Sequence, residues 1–243
     1  MSCGKLTAAI LAGGLGTRLR GVVADRPKPL AMVCGRPFLT FLLDQLAGTG
    51  VQQVVLCTGY RGEQIRSAFG ARYRNLSLVY SPEPAPRGTG GALRQAMSML
   101  NSQTILVMNG DSYCGLDFDT FLGHHEKAGA RASIGLTHVS DMERYGRVVV
   151  DEACCVTRFE EKGAVTGAGW INAGLYLLDR DLIAAIEPNV AVSLEREVFP
   201  AQIGTGLWAW KIGGRFLDIG TPASYEQANE FFASGAVGGT TTP

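Results

Sequence analysis

Leu6–Pro29 reads LTAAILAGGLGTRLRGVVADRPKP, and the fold class follows from how this stretch divides. Leu6–Leu11 is an apolar run with the length and composition of a strand buried on both faces. It stops at Ala12-Gly13-Gly14-Leu15-Gly16, followed by Thr17, Arg18 and Arg20. Glycines without Cβ atoms let backbone N–H groups approach an anion closely. Thr17 is placed to cap the next element, Arg18 adds a permanent positive charge, and Lys28 is held between Pro27 and Pro29. The combination points to a polyphosphate site. A glycine-rich turn without a ligand is the alternative on the glycines alone, and Arg18 and Lys28 weigh against it.

Neither of two familiar glycine motifs is present. The dinucleotide fingerprint needs a third glycine where Leu19 stands, and the ATPase phosphate loop needs Gly-Lys-Ser/Thr where the chain has Gly16-Thr17-Arg18.

Outward from this stretch, strand and helix patterns alternate. A helical apolar spacing follows Arg36-Pro37 (Phe38, Phe41, Leu42, Leu46), then come a strand at Val51–Thr58, a helix at Gly62–Phe69 and a strand at Leu76–Tyr80. The alternation predicts an α/β fold: a Rossmann-like, mostly parallel mixed sheet flanked by helices, with ligands at the carboxyl edge of the strands. Ser81–Gly91 (SPEPAPRGTGG) reads as a rigid loop bringing further amides to a nucleotide, with Glu83 toward a base and a helix at Ala92–Leu100. Thr104–Asn109 is a strand ending in Gly110-Asp111, where a carboxylate suits a divalent cation, a turn or a cap. After a helix at Phe118–Ala128, strands at Ala132–Val139, Arg147–Val150, Val156–Glu160 and Trp170–Leu178 are expected to extend or cross the sheet as a subregion over roughly 132–210. Phe216–Gly220 brings a second acidic residue, Asp218. Thr221-Pro222 opens a last helix that Phe231 and Phe232 dock on the core. One domain over 1–234 is expected, with 235–243 a disordered small-residue tail.

Composition excludes several function classes. Twenty-two basic residues balance 22 acidic ones, so no general affinity for nucleic acid or anionic membrane is expected. No apolar run approaches the roughly 20 residues of a membrane span, and the N-terminus lacks a signal-peptide layout, so a cytoplasmic location is expected. The six cysteines show no zinc-site spacing and are expected to be reduced. His124 and His125 diverge by about 100° on one helix and cannot converge on a metal. Both are expected at the surface or half-buried, and His138 stands alone. Hydrolysis through a Ser–His or Cys–His pair is therefore not expected.

The pieces LAGGLGTRL (Leu11–Leu19), PKP (Pro27–Pro29), GTGGA (Gly88–Ala92), NGD (Asn109–Asp111), ERYG (Glu143–Gly146), EEK (Glu160–Lys162), NAGLYLL (Asn172–Leu178) and FLDIGT (Phe216–Thr221) together resemble the sugar-1-phosphate nucleotidylyltransferase family over nearly the whole chain. The resemblance implies transfer of a nucleoside monophosphate to a sugar 1-phosphate, with pyrophosphate released. GMP from GTP with a heptose phosphate is the closest pattern, ahead of mannose and glucose phosphates. It implies nucleotide binding by Leu11, Ala12, Gly13, Gly14, Gly16, Thr17, Arg18, Lys28, Glu83, Gly88, Thr89 and Gly110, with Arg18 on the departing pyrophosphate and Lys28 at the α-phosphate. It implies sugar-phosphate binding by Asp111, Tyr145, Gly146, Glu161, Lys162, Asn172 and Gly174, and Mg²⁺ held by Asp111 and Asp218. Arg18, Lys28, Asp111 and Asp218 are the implied catalytic set. Gly163, where many relatives have proline, and Arg87, in an often apolar place, depart from the pattern. An inactive nucleotide-binding regulatory homologue is the alternative of another class; it should have lost Arg18, Lys28 or an acidic ligand. Partners are small molecules, with no nucleic acid or membrane, and a homo-oligomer is left open.

Overall fold

The computed structural model describes residues 6–115, 117–161, 163 and 166–235. Of the tail expected at 235–243, Gly235 belongs to the last helix and 236–243 lie outside the described residues, as do Lys162 and Cys3. β1 (Thr7–Ala12), β2 (Gln53–Thr58), β3 (Leu76–Pro82) and β4 (Thr104–Asn109) form a parallel centre in the order β4-β1-β2-β3. β1, β2 and β4 read as almost continuously apolar because both faces are covered, whereas β3 alternates buried with more exposed residues. Along β1, Ala8, Ile10 and Ala12 join a core with α1 (Leu39–Ala47) and α2 (Gly62–Phe69), while Ala9 enters the opposite core. That second core takes in α3 (Gly88–Gln95), whereas α4 (Phe118–Ala128) returns to the first.

With the two-residue strand Arg72–Tyr73 that pairs antiparallel with β3, the strands β5 (Ala132–Val139), β6 (Arg147–Val150), β7 (Val156–Glu160), β8 (Gly169–Asp179) and β9 (Leu207–Lys211) complete a ten-stranded mixed sheet. The expected fold class is thus observed, and the later strands extend the main sheet. β8 is the hinge of the topology. Its C-terminal half pairs antiparallel with β4, whereas Ile171 nearer its start pairs with Arg147 of β6. Its register against β5 slips between Asn172 and Tyr176. Gly174 lies in that slip at φ 73°, and a Cβ there would lie 2.6 Å from Asn109 Nδ2, so glycine is required on two counts.

Three expectations need correction. α3 starts at Gly88, not Ala92, so the glycines of GTGG form its first turn, and a 3₁₀ turn at Ala96–Met99 follows it. Thr17 caps nothing: it lies inside the short turn Thr17–Leu19, preceded by Gly16 in the left-handed region. His125 is only 3% exposed, its Nδ1 paired with Ser133 Oγ at 2.9 Å; a polar partner on β5 makes burial tolerable.

At the chain's end Thr221 and Ser224 form a reciprocal cap on α5 (Pro222–Glu226), as the Thr-Pro pair predicts. Phe232, on the following helix α6 (Ala228–Gly235), stacks on Phe41 with ring centroids 3.8 Å apart and meets Phe38 edge-on. Among the described residues no helix is long and apolar enough to cross a membrane.

Candidate active site

All four parallel strands end at one edge, and the loops after β1, β3 and β4 build a first cavity of about 330 Å³. The loops fit because small residues meet backbone there. Gly110 donates its N–H to Leu11 O at 2.9 Å, and a Cβ on it would come within 2.8 Å of that oxygen. Leu11, Ala12, Gly13, Gly14 and Gly16 line the cavity with Lys28, Glu83, Gly88, Thr89, Gly110 and Asp111. The expected nucleotide set is therefore gathered, except that Thr17 lines neither cavity and Arg18 faces the second one. Glu83 is half-buried with its Oε1 against Gly13, where a Cβ would approach it to 2.7 Å. Its Oε2 accepts the Arg87 backbone N–H at 2.9 Å. Burial raises the Glu83 pKa, and the Arg87 N–H partly offsets this. Arg87 turns its guanidinium to Asn189 Oδ1, 2.8 Å away.

The second cavity, about 760 Å³, adjoins the first, with Gly88, Thr89, Asn109 and Asp111 on both walls. It gathers Arg18, Tyr145, Gly146, Glu161, Asn172 and Asp218 from segments far apart in the chain. Gly174 stays behind Asn172, donating its N–H to Asn172 Oδ1 at 2.9 Å.

Asp111 and Asp218 meet at the junction. Ser112–Cys114 pairs antiparallel with Phe216–Asp218, setting Asp218 opposite Ser112, and Ile219 N–H donates to Asp111 O at 3.0 Å. Lys28 Nζ reaches Asp111 Oδ2 at 3.0 Å with its side chain only 12% exposed. Burial first, then the charge of Asp111, raises the Asp218 pKa, while the Gly220 N–H that Asp218 accepts lowers it. Two carboxylates that repel, with Lys28 paired to one of them and the two cavities adjoining there, fit a hard divalent cation. Such an ion takes one or two carboxylates and completes its shell with phosphate oxygens and water. Asp111 and Asp218 would hold it.

Sequence reasoning missed a further wall. Glu195 and Arg196 line the second cavity from Leu194–Val198, a segment wound as a π turn, together with Ser193 that caps it. Glu195 bonds Thr89 of α3 and Tyr176 of β8. The one local signal was Ser193, whose Oγ accepts the Arg196 N–H at 3.2 Å as a cap does. The GTGG glycines were expected to bring amides to a nucleotide, yet they also admit this wall: a Cβ at Gly88 would lie 2.5 Å from Val192 O, and one at Gly91 2.7 Å from Val190 O.

Comparison with known proteins places this geometry. The nucleotidyl transferase family model matches residues 7–235. The chain is 33% identical over 226 residues to the D-glycero-alpha-D-manno-heptose 1-phosphate guanylyltransferase of Aneurinibacillus thermoaerophilus, covering 93% of this chain and 97% of that protein. It is 35% identical over 229 residues to the mannose-1-phosphate guanylyltransferase of Mycobacterium tuberculosis, covering 93% of this chain but 64% of that protein. The crystal structure of HddC from Yersinia pseudotuberculosis complexed with GMP-PN superposes with a TM-score of 0.82 at 35% identity, over 93% of this chain and 99% of HddC.

Proposed function

This chain belongs to the nucleotidyl transferase family, and on that footing we propose that it transfers GMP from GTP to D-glycero-α-D-manno-heptose 1-phosphate, releasing pyrophosphate. The observation that carries the reading is the pair of adjoining cavities with Lys28, Asp111 and Asp218 at their junction. Two phosphorylated substrates occupying the two cavities would meet there. The heptose phosphate is favoured because the match to the heptose enzyme runs over 97% of its length.

The chemistry suits these residues. A sugar phosphate has a second pKa of about 6, so its oxygen is a ready nucleophile at neutral pH and needs no general base. That oxygen forms a new bond to the α-phosphorus, and the α–β bridging P–O bond breaks, its electron pair leaving with pyrophosphate. The chain's part is alignment and charge neutralisation. Amides of Gly13–Gly16 hold the triphosphate, Lys28 offsets charge at the α-phosphate, and Arg18 reaches the pyrophosphate from the second cavity. Tyr145, Gly146, Glu161 and Asn172 orient the sugar, and Lys162 is assigned to its phosphate on its motif. Magnesium bound by Asp111 and Asp218 would supply Lewis-acid stabilisation of the phosphoryl oxygens.

A mannose 1-phosphate reading is favoured by the 35% identity to the Mycobacterium tuberculosis enzyme. Pyrophosphate release from four nucleoside triphosphates, each with heptose, mannose and glucose 1-phosphates, separates the readings. GTP with the heptose phosphate should give the highest kcat/KM; a higher value with mannose 1-phosphate supports the second reading. No release with any pair overturns both and leaves a nucleotide-binding protein.

A further inference from the structure

Glu195 lines the second cavity, and no step above uses it. Its carboxylate accepts three hydrogen bonds. Oε2 accepts from Thr89 Oγ1 at 2.7 Å and Ser193 Oγ at 2.9 Å, and Oε1 accepts from the Tyr176 hydroxyl at 3.2 Å. Thr89 Oγ1 itself accepts the Leu194 N–H at 2.8 Å, so its own proton goes to the carboxylate. A carboxylate only accepts, which fixes the direction of every bond around it. With its proton committed to Glu195, the Tyr176 oxygen is left as an acceptor, and it takes an N–H from Asn172 Nδ2 at 3.0 Å. From the other side Gly174 N–H donates to Asn172 Oδ1 at 2.9 Å. Both neighbours orient the amide alike. Its oxygen is spent in the β8 slip, and its second N–H remains for the cavity that Asn172 lines.

We propose that Glu195 is a positioning residue for the sugar phosphate. Its negative charge sets the direction of the chain Glu195–Tyr176–Asn172, so that Asn172 presents a hydrogen-bond donor, not an acceptor, to a sugar hydroxyl. This inference rests on the function proposed above. Tyr176 is fully buried, so its hydroxyl depends on these protein partners. The other carboxylate oxygen ties down Thr89, which borders both cavities.

Glu195→Gln tests it at constant size. The glutamine carbonyl keeps Thr89 and Ser193, while its amide turns a donor toward Tyr176 and removes the acceptor that fixed the phenol. KM for the sugar 1-phosphate should rise about tenfold, the worth of one oriented hydrogen bond. KM for GTP should stay within about twofold, because Thr89 keeps its acceptor. Tyr176→Phe, which removes the middle link, should raise the sugar-phosphate KM similarly. The double variant should be no worse than either single one, since both act through one chain. Where Glu195→Gln fails to fold by calorimetry, Tyr176→Phe decides alone. An unchanged sugar-phosphate KM, additive effects in the double variant, or both KM values rising together with a fall in Tm overturns the inference. A wild-type chain that releases no pyrophosphate overturns the functional reading and this inference with it; an active wild type with an unmoved variant overturns the inference alone.

Discussion

Asp218 is held beside Asp111 against the repulsion of like charges, and burial raises its pKa further. Such an arrangement costs folding free energy and suits a bound cation. Asp218→Asn should therefore leave Tm unchanged or slightly raised. It should lower kcat by about 10²-fold and raise the Mg²⁺ concentration needed for half-maximal rate; unchanged kcat and Mg²⁺ dependence would remove Asp218 from the metal site. Glu83 poses a different question. Its Oε2 already accepts the Arg87 N–H, but a carboxylate oxygen has a second lone pair, and Oε1 lies beside Gly13 in the wall of the cavity. Guanine offers two adjacent donors, N1–H and N2–H, whereas uracil and thymine present one donor flanked by two acceptors. Glu83→Gln should narrow the ratio of GTP to UTP turnover by about tenfold. A ratio that does not move shows that the base is read elsewhere.

At the scale of elements, the glycines divide into those that admit protein and those that leave room for ligand. Gly88 is at φ 69° with its missing Cβ 2.5 Å from Val192 O, whereas a Cβ on Gly14 would meet nothing within 4 Å. A non-glycine residue in the left-handed region costs about 1–2 kcal/mol before any clash. Gly88→Ala should thus lose at least about 2 kcal/mol, lowering Tm by roughly 4–8 °C. Gly14→Ala should hold Tm to within about 1 °C and raise KM for GTP, since its methyl group would enter the cavity where phosphate is to lie. The reverse pattern of melting and kinetics would exchange the two roles. This division also explains one misreading from sequence. Four residues of GTGG are poor helix formers, so the pattern placed the helix start at Ala92. Tertiary packing against Val190–Val192 starts it at Gly88 instead.

Across the whole molecule, what the sequence made legible was whatever repeats locally. Apolar runs at the right length located the parallel strands, and an acidic residue after a strand located Asp111 and Asp218. Glu195 was not legible, because its partners Thr89 and Tyr176 lie 106 and 19 residues away and only the fold joins them. His125 was misplaced for the same reason: its neighbour on the helix, His124, stacks on Trp210, while His125 itself turns inward to Ser133 on β5. That burial links the sheet and α4 to acid stability. Desolvation lowers the His125 pKa from 6.5 to about 4 in the folded state, with Asp179 Oδ1 3.9 Å from its Nε2. Between those values the unfolded chain binds a proton that the folded chain refuses, so stability falls as pH falls from 6.5 toward 4. The loss approaches about 3 kcal/mol at the bottom of the window. Asp179 works in the opposite sense, because burial raises its pKa and the folded state takes up its proton first. A variant that changes only the imidazole isolates the histidine. His125→Asn cannot titrate and keeps a polar atom for Ser133, so it should start less stable at pH 7 but lose less between pH 6.5 and 4.5. Urea denaturation of both proteins across that range measures the difference, and parallel curves would show that His125 takes no part in the acid response.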